Sequence, residues 1–171
     1  MPHAKAYVKQ ADMLDQMQQE AVNHAYEALH CNTQYMDIAK HLRTHFDHCY
    51  GPSWSCVVGK DFGTSITGIT ALAFAMSAGR YRKSEAKAVI KETDMLEELQ
   101  QQAANCAYEA LQHHQQYMDI ARYVRKRFDD LYGPSWSCVV GADFGASFAY
   151  EKKHLISFQM KGKTFLLFRG A

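Results

Sequence analysis

Tyr50-Gly51-Pro52-Ser53-Trp54-Ser55-Cys56-Val57-Val58-Gly59 recurs letter for letter as Tyr132-Gly133-Pro134-Ser135-Trp136-Ser137-Cys138-Val139-Val140-Gly141. Trp136 lies 82 residues after Trp54, and that offset holds without a gap from Lys5/Lys87 to Gly63/Gly145. An internal repeat sets the organisation of a chain before any single residue is weighed. Within each copy this stretch marks a change of period. Gly51-Pro52 and Gly133-Pro134 stop a helix, because proline has no N–H to donate and cannot continue the turn. Past the proline, Trp54, Cys56 and Val58 alternate with Ser55 and Val57, as a half-buried strand requires. A tight turn at Gly59-Lys60-Asp61 then leads into Phe62-Gly63.

Upstream, each copy opens with a short apolar-polar stretch at 6–9 and 88–91 that suits a strand. Asp94 with Glu97 three residues on has the form of a capping box, and Asp12 with Asp15 is a weaker version. Met13, Met17, Ala21, Ala25 and Leu29 fall on one helical face, as do Leu99, Ala103, Ala107 and Leu111. After polar breaks at Asn32-Thr33 and 113–116, a second helix carries Ile38, Leu42 and Phe46, matched by Ile120, Val124 and Phe128.

Downstream the copies part. Copy 2 continues through Phe144 to Tyr150, then a strand over 154–160, a hairpin turn at Lys161-Gly162-Lys163 and a last strand over 164–169. In copy 1, Leu72, Phe74 and Met76 keep the parity of His154, Ile156 and Phe158, so the penultimate strand can survive. Ile69, Leu72, Ala73 and Met76 also have helical spacing; the alternation favours a strand. The last strand is missing, and Tyr81-Arg82-Lys83-Ser84 stands in its place. Four or five buried apolar side chains at about 1.5–3 kcal/mol each go with it. A loss of roughly 6–15 kcal/mol is comparable to the whole stability of a small domain, so copy 1 is not expected to stand alone. The expected division is a first repeat over 1–68 with a degenerate C-terminal hairpin, a divergent strand or linker over 69–86, and a complete second repeat over 87–171.

Composition narrows the function. A formal net charge of +1 gives no global field toward nucleic acid or an anionic membrane. Residues 1–9 have no apolar signal region, and the apolar run at 69–78 is too short to span a bilayer. Of the five cysteines, Cys31, Cys49, Cys56, Cys106 and Cys138, only Cys56 and Cys138 are equivalent. No zinc-type Cys/His spacing recurs, which suits a reduced intracellular protein.

Several motifs have a sharp and a bland reading. Asp61-Phe62-Gly63 and Asp143-Phe144-Gly145 have the letters of a kinase magnesium motif, but no glycine-rich loop, strand lysine or His-Arg-Asp loop accompanies them. They read as turns with a phenylalanine anchoring a strand. His41, His45 and His48 with Cys49 have spacings that can hold a metal. Copy 2 has Tyr123, Arg127, Asp130 and Leu131 there, so the shared fold needs no metal, and a solvated helix face is the preferred reading. Arg122, Arg125, Lys126 and Arg127 form a basic patch with a thinner counterpart in copy 1. Cys56 and Cys138 read as buried apolar groups rather than redox residues.

Lys-Ala-x-x-Lys-x-x-Asp-Met, two helices, Tyr-Gly-Pro-Ser-Trp-x-Cys-Val-Val-Gly-x-x-Phe-Gly and the terminal Phe-Leu-Leu-Phe-Arg-Gly together resemble the dynein light chain type 1 family. The resemblance implies an α+β fold, two helices packed on an antiparallel sheet, duplicated here in tandem. It implies a dimer formed by exchanging the strand after the Trp strand, with a peptide added as a further strand in each of two grooves. It further implies a non-catalytic, cofactor-free hub for dynein intermediate chains and other extended segments. Such a hub sits in the cytoplasm or on the cytoskeleton, in a cytoplasmic or axonemal dynein complex, and binds neither nucleic acid nor membrane. A motor-independent hub with a rebuilt groove is the alternative.

Carried over by position, the groove edges are Phe62, Gly63, Thr64, Ser65, Ile66 and Thr67 in copy 1, and Phe144, Gly145, Ala146, Ser147, Phe148, Ala149 and Tyr150 in copy 2. The family's acidic-basic pair, which meets a ligand glutamine, is replaced by Tyr35-Met36 and Tyr117-Met118. Its aromatic pair on the next strand becomes Ala75 and Ser77, or Ser157 and Gln159. Its groove threonine and histidine become Ala149 and Tyr150 in copy 2, and Thr67 and Gly68 in copy 1. Trp54, Ser55, Trp136, Ser137, Phe144 and Phe148 fall in the implied dimer interface, where Ser55 and Ser137 replace a titratable histidine. About 20 residues from Thr67 to Lys87 reach up to roughly 65 Å, so an internal pseudo-dimer or a homodimer is open. The missing last strand of copy 1 favours pairing of copy 2 between chains.

Overall fold

A computed structural model describes residues 6, 8–9, 11–66, the backbone of 71–75, and 88–171. Ser77 and Thr67, and the segments 67–70 and 76–87 that hold them, lie outside the described residues. The elements are α1 (Asp15–Cys31), α2 (Tyr35–Tyr50), β1 (Ser55–Ser65), β2 (Ala71–Ala75), β3 (Val89–Thr93), α3 (Glu97–His113), α4 (Tyr117–Tyr132), β4 (Trp136–Ser147), β5 (Tyr150–Met160) and β6 (Lys163–Gly170). The strands form one sheet in the order β2-β1-β4-β6-β5-β3. The fold is the α+β arrangement the repeat implies, made twice.

The helices bury the expected stripes except at the end of α1, where Ala28 is buried and Leu29, expected on that face, is exposed. Ala21, Ala25, Ile38, Leu42 and Phe46 meet Trp54, Cys56 and Val58 in copy 1. Ala103, Ala107, Ile120, Val124 and Phe128 meet Trp136, Cys138 and Val140 in copy 2, where Ile156, Phe158, Phe165 and Leu167 enlarge the core. After each Gly-Pro, Ser53 and Ser135 adopt φ of 86° and 84°. That left-handed backbone costs a non-glycine residue about 1–2 kcal/mol. Asp47 and Asp129 hold it by accepting the Trp54 and Trp136 backbone N–H at 2.9 and 3.0 Å.

Four expectations are corrected. First, no turn forms at Gly59-Lys60-Asp61; β1 and β4 run unbroken, and the register merely shifts between Gly59 and Phe62. Each long strand thereby serves two sub-sheets. Residues 56–59 pair with 144–147, and 62–65 pair with 138–141. Second, this strand exchange occurs within one chain, where pairing of copy 2 between chains was favoured. The exchanged surface is made by 56–65 and 138–147, and the last strand of a copy takes no part in it, as β6 shows, so copy 1 supplies copy 2 with all the exchange needs. Third, 71–75 is a strand, but it does not sit in the penultimate position. It lies against β1 and runs parallel to it, in the place β6 takes beside β4. An interior β1 edge would otherwise leave its backbone groups without partners. Fourth, Asp94 does not cap α3, whose N-cap is Leu96. Its carboxylate instead accepts the Lys153 and Leu155 backbone N–H at 2.9 and 3.0 Å, where Lys153 (φ 68°) bends β5.

The Trp strands are also buried on both faces rather than one. Val57, Val139, Leu155, Leu166 and Phe168 form a second cluster with Phe62, Ile66, Phe144, Ala146 and Phe148. This cluster joins the two copies. The opening stretch forms β3 in copy 2, paired with β5, whereas Ala6, Val8 and Lys9 belong to no strand. The difference has a plain cause: β3 needs a β5, and no described strand of copy 1 takes that place. The Lys161-Gly162 hairpin turn forms as read, with φ of 50° and 73°.

Candidate functional site: two exchanged strand edges

The exchange leaves two strand segments half-partnered. Residues 62–65 pair with β4 on one side and 144–147 pair with β1 on one side. Among the described residues, no strand lies along the other edge of either segment. Such an edge presents backbone N–H and C=O groups ready to pair.

Each edge is walled by the second helix of the opposite copy. A Cβ placed on Gly145 would overlap the Met36 amide nitrogen and lie 2.6 Å from Tyr35 C. A Cβ on Gly63 would overlap the Met118 amide nitrogen and lie 2.5 Å from Tyr117 C. Only glycine lets the strand and the helix N-terminus come this close. Farther along each helix an arginine reaches across. Arg125 Nε donates to Ser65 Oγ at 2.7 Å and pairs with Asp129 at 3.1 Å. Arg43 Nη1 donates to Phe148 O at 3.0 Å and to Ser147 Oγ at 3.5 Å, while its Nε pairs with Asp47 at 3.2 Å. Each aspartate thus orders its Trp strand and fixes an arginine that holds the other copy's exchanged strand.

The residues expected at the site separate into three places. Thr64, Ser65, Ala146 and Ser147 lie half-buried on the two segments, and Ala149 is half-buried just past the end of β4. Met36 and Met118, 61% and 54% exposed, stand at the helix ends beside Gly145 and Gly63. Tyr35 and Tyr117 are half-buried, and the Tyr117 hydroxyl donates to Asp61 at 3.0 Å. Phe62, Ile66, Phe144 and Phe148 turn toward the cluster between the copies. There Phe62 and Phe144 are 6.1 Å apart and Phe148 stacks on Phe168 at 4.1 Å. Tyr150 opens β5 opposite Gly170. Ser157 and Gln159 sit in β5 between β3 and β6, and Gln159 Nε2 reaches Thr164 Oγ1 at 3.5 Å. Trp54 and Trp136 do not lie between the copies. Each packs edge-on against the phenylalanine of its own second helix, Phe46 at 4.8 Å and Phe128 at 4.9 Å. Ser137 is fully buried within the sheet opposite Phe168, and Ser55 lies opposite Ala71.

Arg43, Arg125, Asp47 and Asp129 were not foreseen as site residues. A signal existed: both pairs are identical in the two copies at i,i+4 spacing, whereas neighbouring positions of the second helix such as Thr44/Lys126, His45/Arg127 and His48/Asp130 differ. Arg125 therefore leaves the basic patch to do a structural job. Burial pushes the Cys56 and Cys138 thiols far up, away from the thiolate a redox or nucleophilic site needs. No helix among the described residues is long and apolar enough to cross a membrane. The sequence model of one family, described as dynein light chain type 1, matches residues 5–82 and again 87–170.

Proposed function

Because the chain belongs to the dynein light chain type 1 family, we propose that it is a non-catalytic assembly subunit of a microtubule motor, taking up extended peptide segments by strand addition. The observation that carries this reading is the pair of one-sided strand segments, 62–65 and 144–147, each beside the other copy's second helix. Backbone pairing supplies affinity in this mode, and flanking side chains select the sequence. Partner candidates are dynein intermediate chains and other extended segments, and the setting is the cytoplasmic or axonemal cytoskeleton.

The flanking chemistry is apolar. Met36 and Met118 offer a thioether where a charged side chain would bind a ligand glutamine, and methionine adapts to varied apolar shapes. Thr-Gln-Thr peptides are expected to bind weakly and more apolar extended segments better. The edge segments also differ: Thr64 in copy 1 stands where copy 2 has Ala146. One chain is therefore expected to hold two segments with unequal affinity.

Hydrogen exchange of the full chain, with and without peptides selected from a random library, tests the site. New protection at 62–65 and 144–147 supports strand addition, and protection elsewhere alone overturns it. Affinity purification from a cell that makes the protein tests the setting. Dynein subunits support the motor reading; a defined partner without them, which the rebuilt methionine walls would suit, selects a motor-independent hub.

A further inference from the structure

Copy 1 carries a constellation that copy 2 lacks. Glu20 and His24 lie one turn apart on α1, and His45 and Cys49 lie one turn apart on α2. The two helices pack so that ligand atoms of Glu20, His24 and His45 fall within 4.8 Å of one another. His45 Nε2 is 2.7 Å from Glu20 Oε1 and 3.6 Å from Cys49 Sγ. The His24 and His45 rings stack with centroids 3.5 Å apart and planes 28° apart, so one ring must turn about its side-chain torsions before both present an in-plane nitrogen to one ion. At the same positions copy 2 has Gln102, Cys106, Arg127 and Leu131.

We propose that Glu20, His24 and His45 bind a borderline transition-metal cation, zinc by preference, between α1 and α2, with Cys49 or water as the fourth ligand. Paired i,i+4 ligands on adjacent helices are a recurrent way to build such a centre. Tetrahedral zinc with nitrogen, oxygen and sulfur ligands near 2.0–2.3 Å places its donors about 3.3–3.6 Å apart. The His45–Cys49 separation already fits. The His45–Glu20 separation is a hydrogen bond that opens by well under 1 Å when a metal replaces the shared proton. Outer partners are in place as well. A Glu27 oxygen lies 3.2 Å from His24 Nδ1, the carboxylate–imidazole arrangement that leaves Nε2 to coordinate. Tyr50 donates to the other Glu20 oxygen, and this bond, with that of His45, holds the Glu20 carboxyl below its usual range and so ionised. The site is half-buried, so an ion can enter. Two of the four positions, His45 and Cys49, were visible in sequence within the set His41, His45, His48 and Cys49. That spacing on one helix missed the α1 half, and His41 and His48 are not members. A second set, His24, Glu27 and His41, lies beside the first and shares His24, so one ion at a time is expected.

The test titrates the full chain with Co²⁺ and with Zn²⁺. Expected are one equivalent bound, the intense visible bands of tetrahedral cobalt, and displacement by zinc. Glu20→Gln and His45→Arg install what copy 2 already tolerates, so both variants should fold; each should weaken binding by about tenfold or more. Cys49→Ala separates the fourth ligand: loss of the thiolate-to-cobalt charge-transfer band assigns Cys49, and no change assigns water. Absence of binding at micromolar metal, or binding that survives both Glu20→Gln and His45→Arg, overturns the proposal.

Discussion

Replacing Gly63 and Gly145 separately by alanine tests the intrachain exchange directly. In either variant the new Cβ meets backbone atoms of the opposite copy's second helix, Tyr117-Met118 or Tyr35-Met36. Backbone cannot swing aside as a side-chain tip can, so the cost belongs at the upper end of overpacking, about 3 kcal/mol. Alanine also stiffens the unfolded chain, which returns about 0.4–1 kcal/mol. The net is about 2 kcal/mol of destabilisation, or roughly 4–8 °C in Tm for a chain of this size. Thermal unfolding followed by circular dichroism measures it, provided the transition is reversible. The pattern is as informative as the size. Within one chain, Gly63 and Gly145 face equivalent walls, so the two variants should lose similar amounts. If copy 2 instead paired with copy 2 of another chain, Gly145→Ala would be costly and Gly63→Ala nearly silent. That second pattern, or no loss from either change, would refute the assignment.

Other outcomes follow from the same contacts. Arg125→Ala removes a charged hydrogen bond to Ser65 and an ion pair to Asp129; it should cost about 1–3 kcal/mol in urea unfolding and weaken peptide uptake at 62–65 more than at 144–147. A thiol reagent should modify the exposed Cys31 and Cys49 in the folded protein, while Cys56, Cys106 and Cys138, buried with raised pKa, react only on unfolding; prompt labelling of Cys138 would contradict the packing. Glu20 is held below its usual carboxyl value of 4.5 by the Tyr50 and His45 hydrogen bonds, so its contribution is full above that pH and fades as pH falls through the lowered value. Glu20→Gln should therefore be less stable than wild type at pH 7, with the difference closing as pH falls through that lowered value. Light scattering should show a monomer from about pH 7 to 5.5, since Ser55 and Ser137 cannot titrate and the exchange is intrachain; a dimer that dissociates near pH 6 would count against both points.

The helices and the Trp strands were legible because their residues obey one period at a time. Met13 to Leu29 repeats at helical spacing, Trp54 to Val58 alternates, and Pro52 marks the boundary between them. The strand exchange itself left no mark in either period. Gly59-Lys60-Asp61 has the letters of a turn, and only tertiary pairing straightens it into β1. β2 was legible as a strand but not in position or direction, because a strand's partner is chosen by which edge is vacant, not by its own alternation. The groove edges came from resemblance. The role of Arg43 and Arg125 was not legible because helical spacing shows them as surface charges, while their partners Ser147 and Ser65 lie 104 and 60 residues away along the chain. The Glu20 and His24 half of the metal constellation was hidden for the same reason: it joins two helices.

Joining both exchange partners in one chain removes a concentration term. Two separate copies would form their grooves only in proportion to their abundance, whereas copies joined in one chain meet at an effective concentration that dilution does not change. Both strand edges then exist at any dilution. Each wall of each groove is also encoded separately. A change at Met36 alters the edge at 144–147 and leaves the one at 62–65 as it was. The two binding surfaces of this protein are free to drift apart in sequence, which those of a symmetric pair of identical chains cannot do.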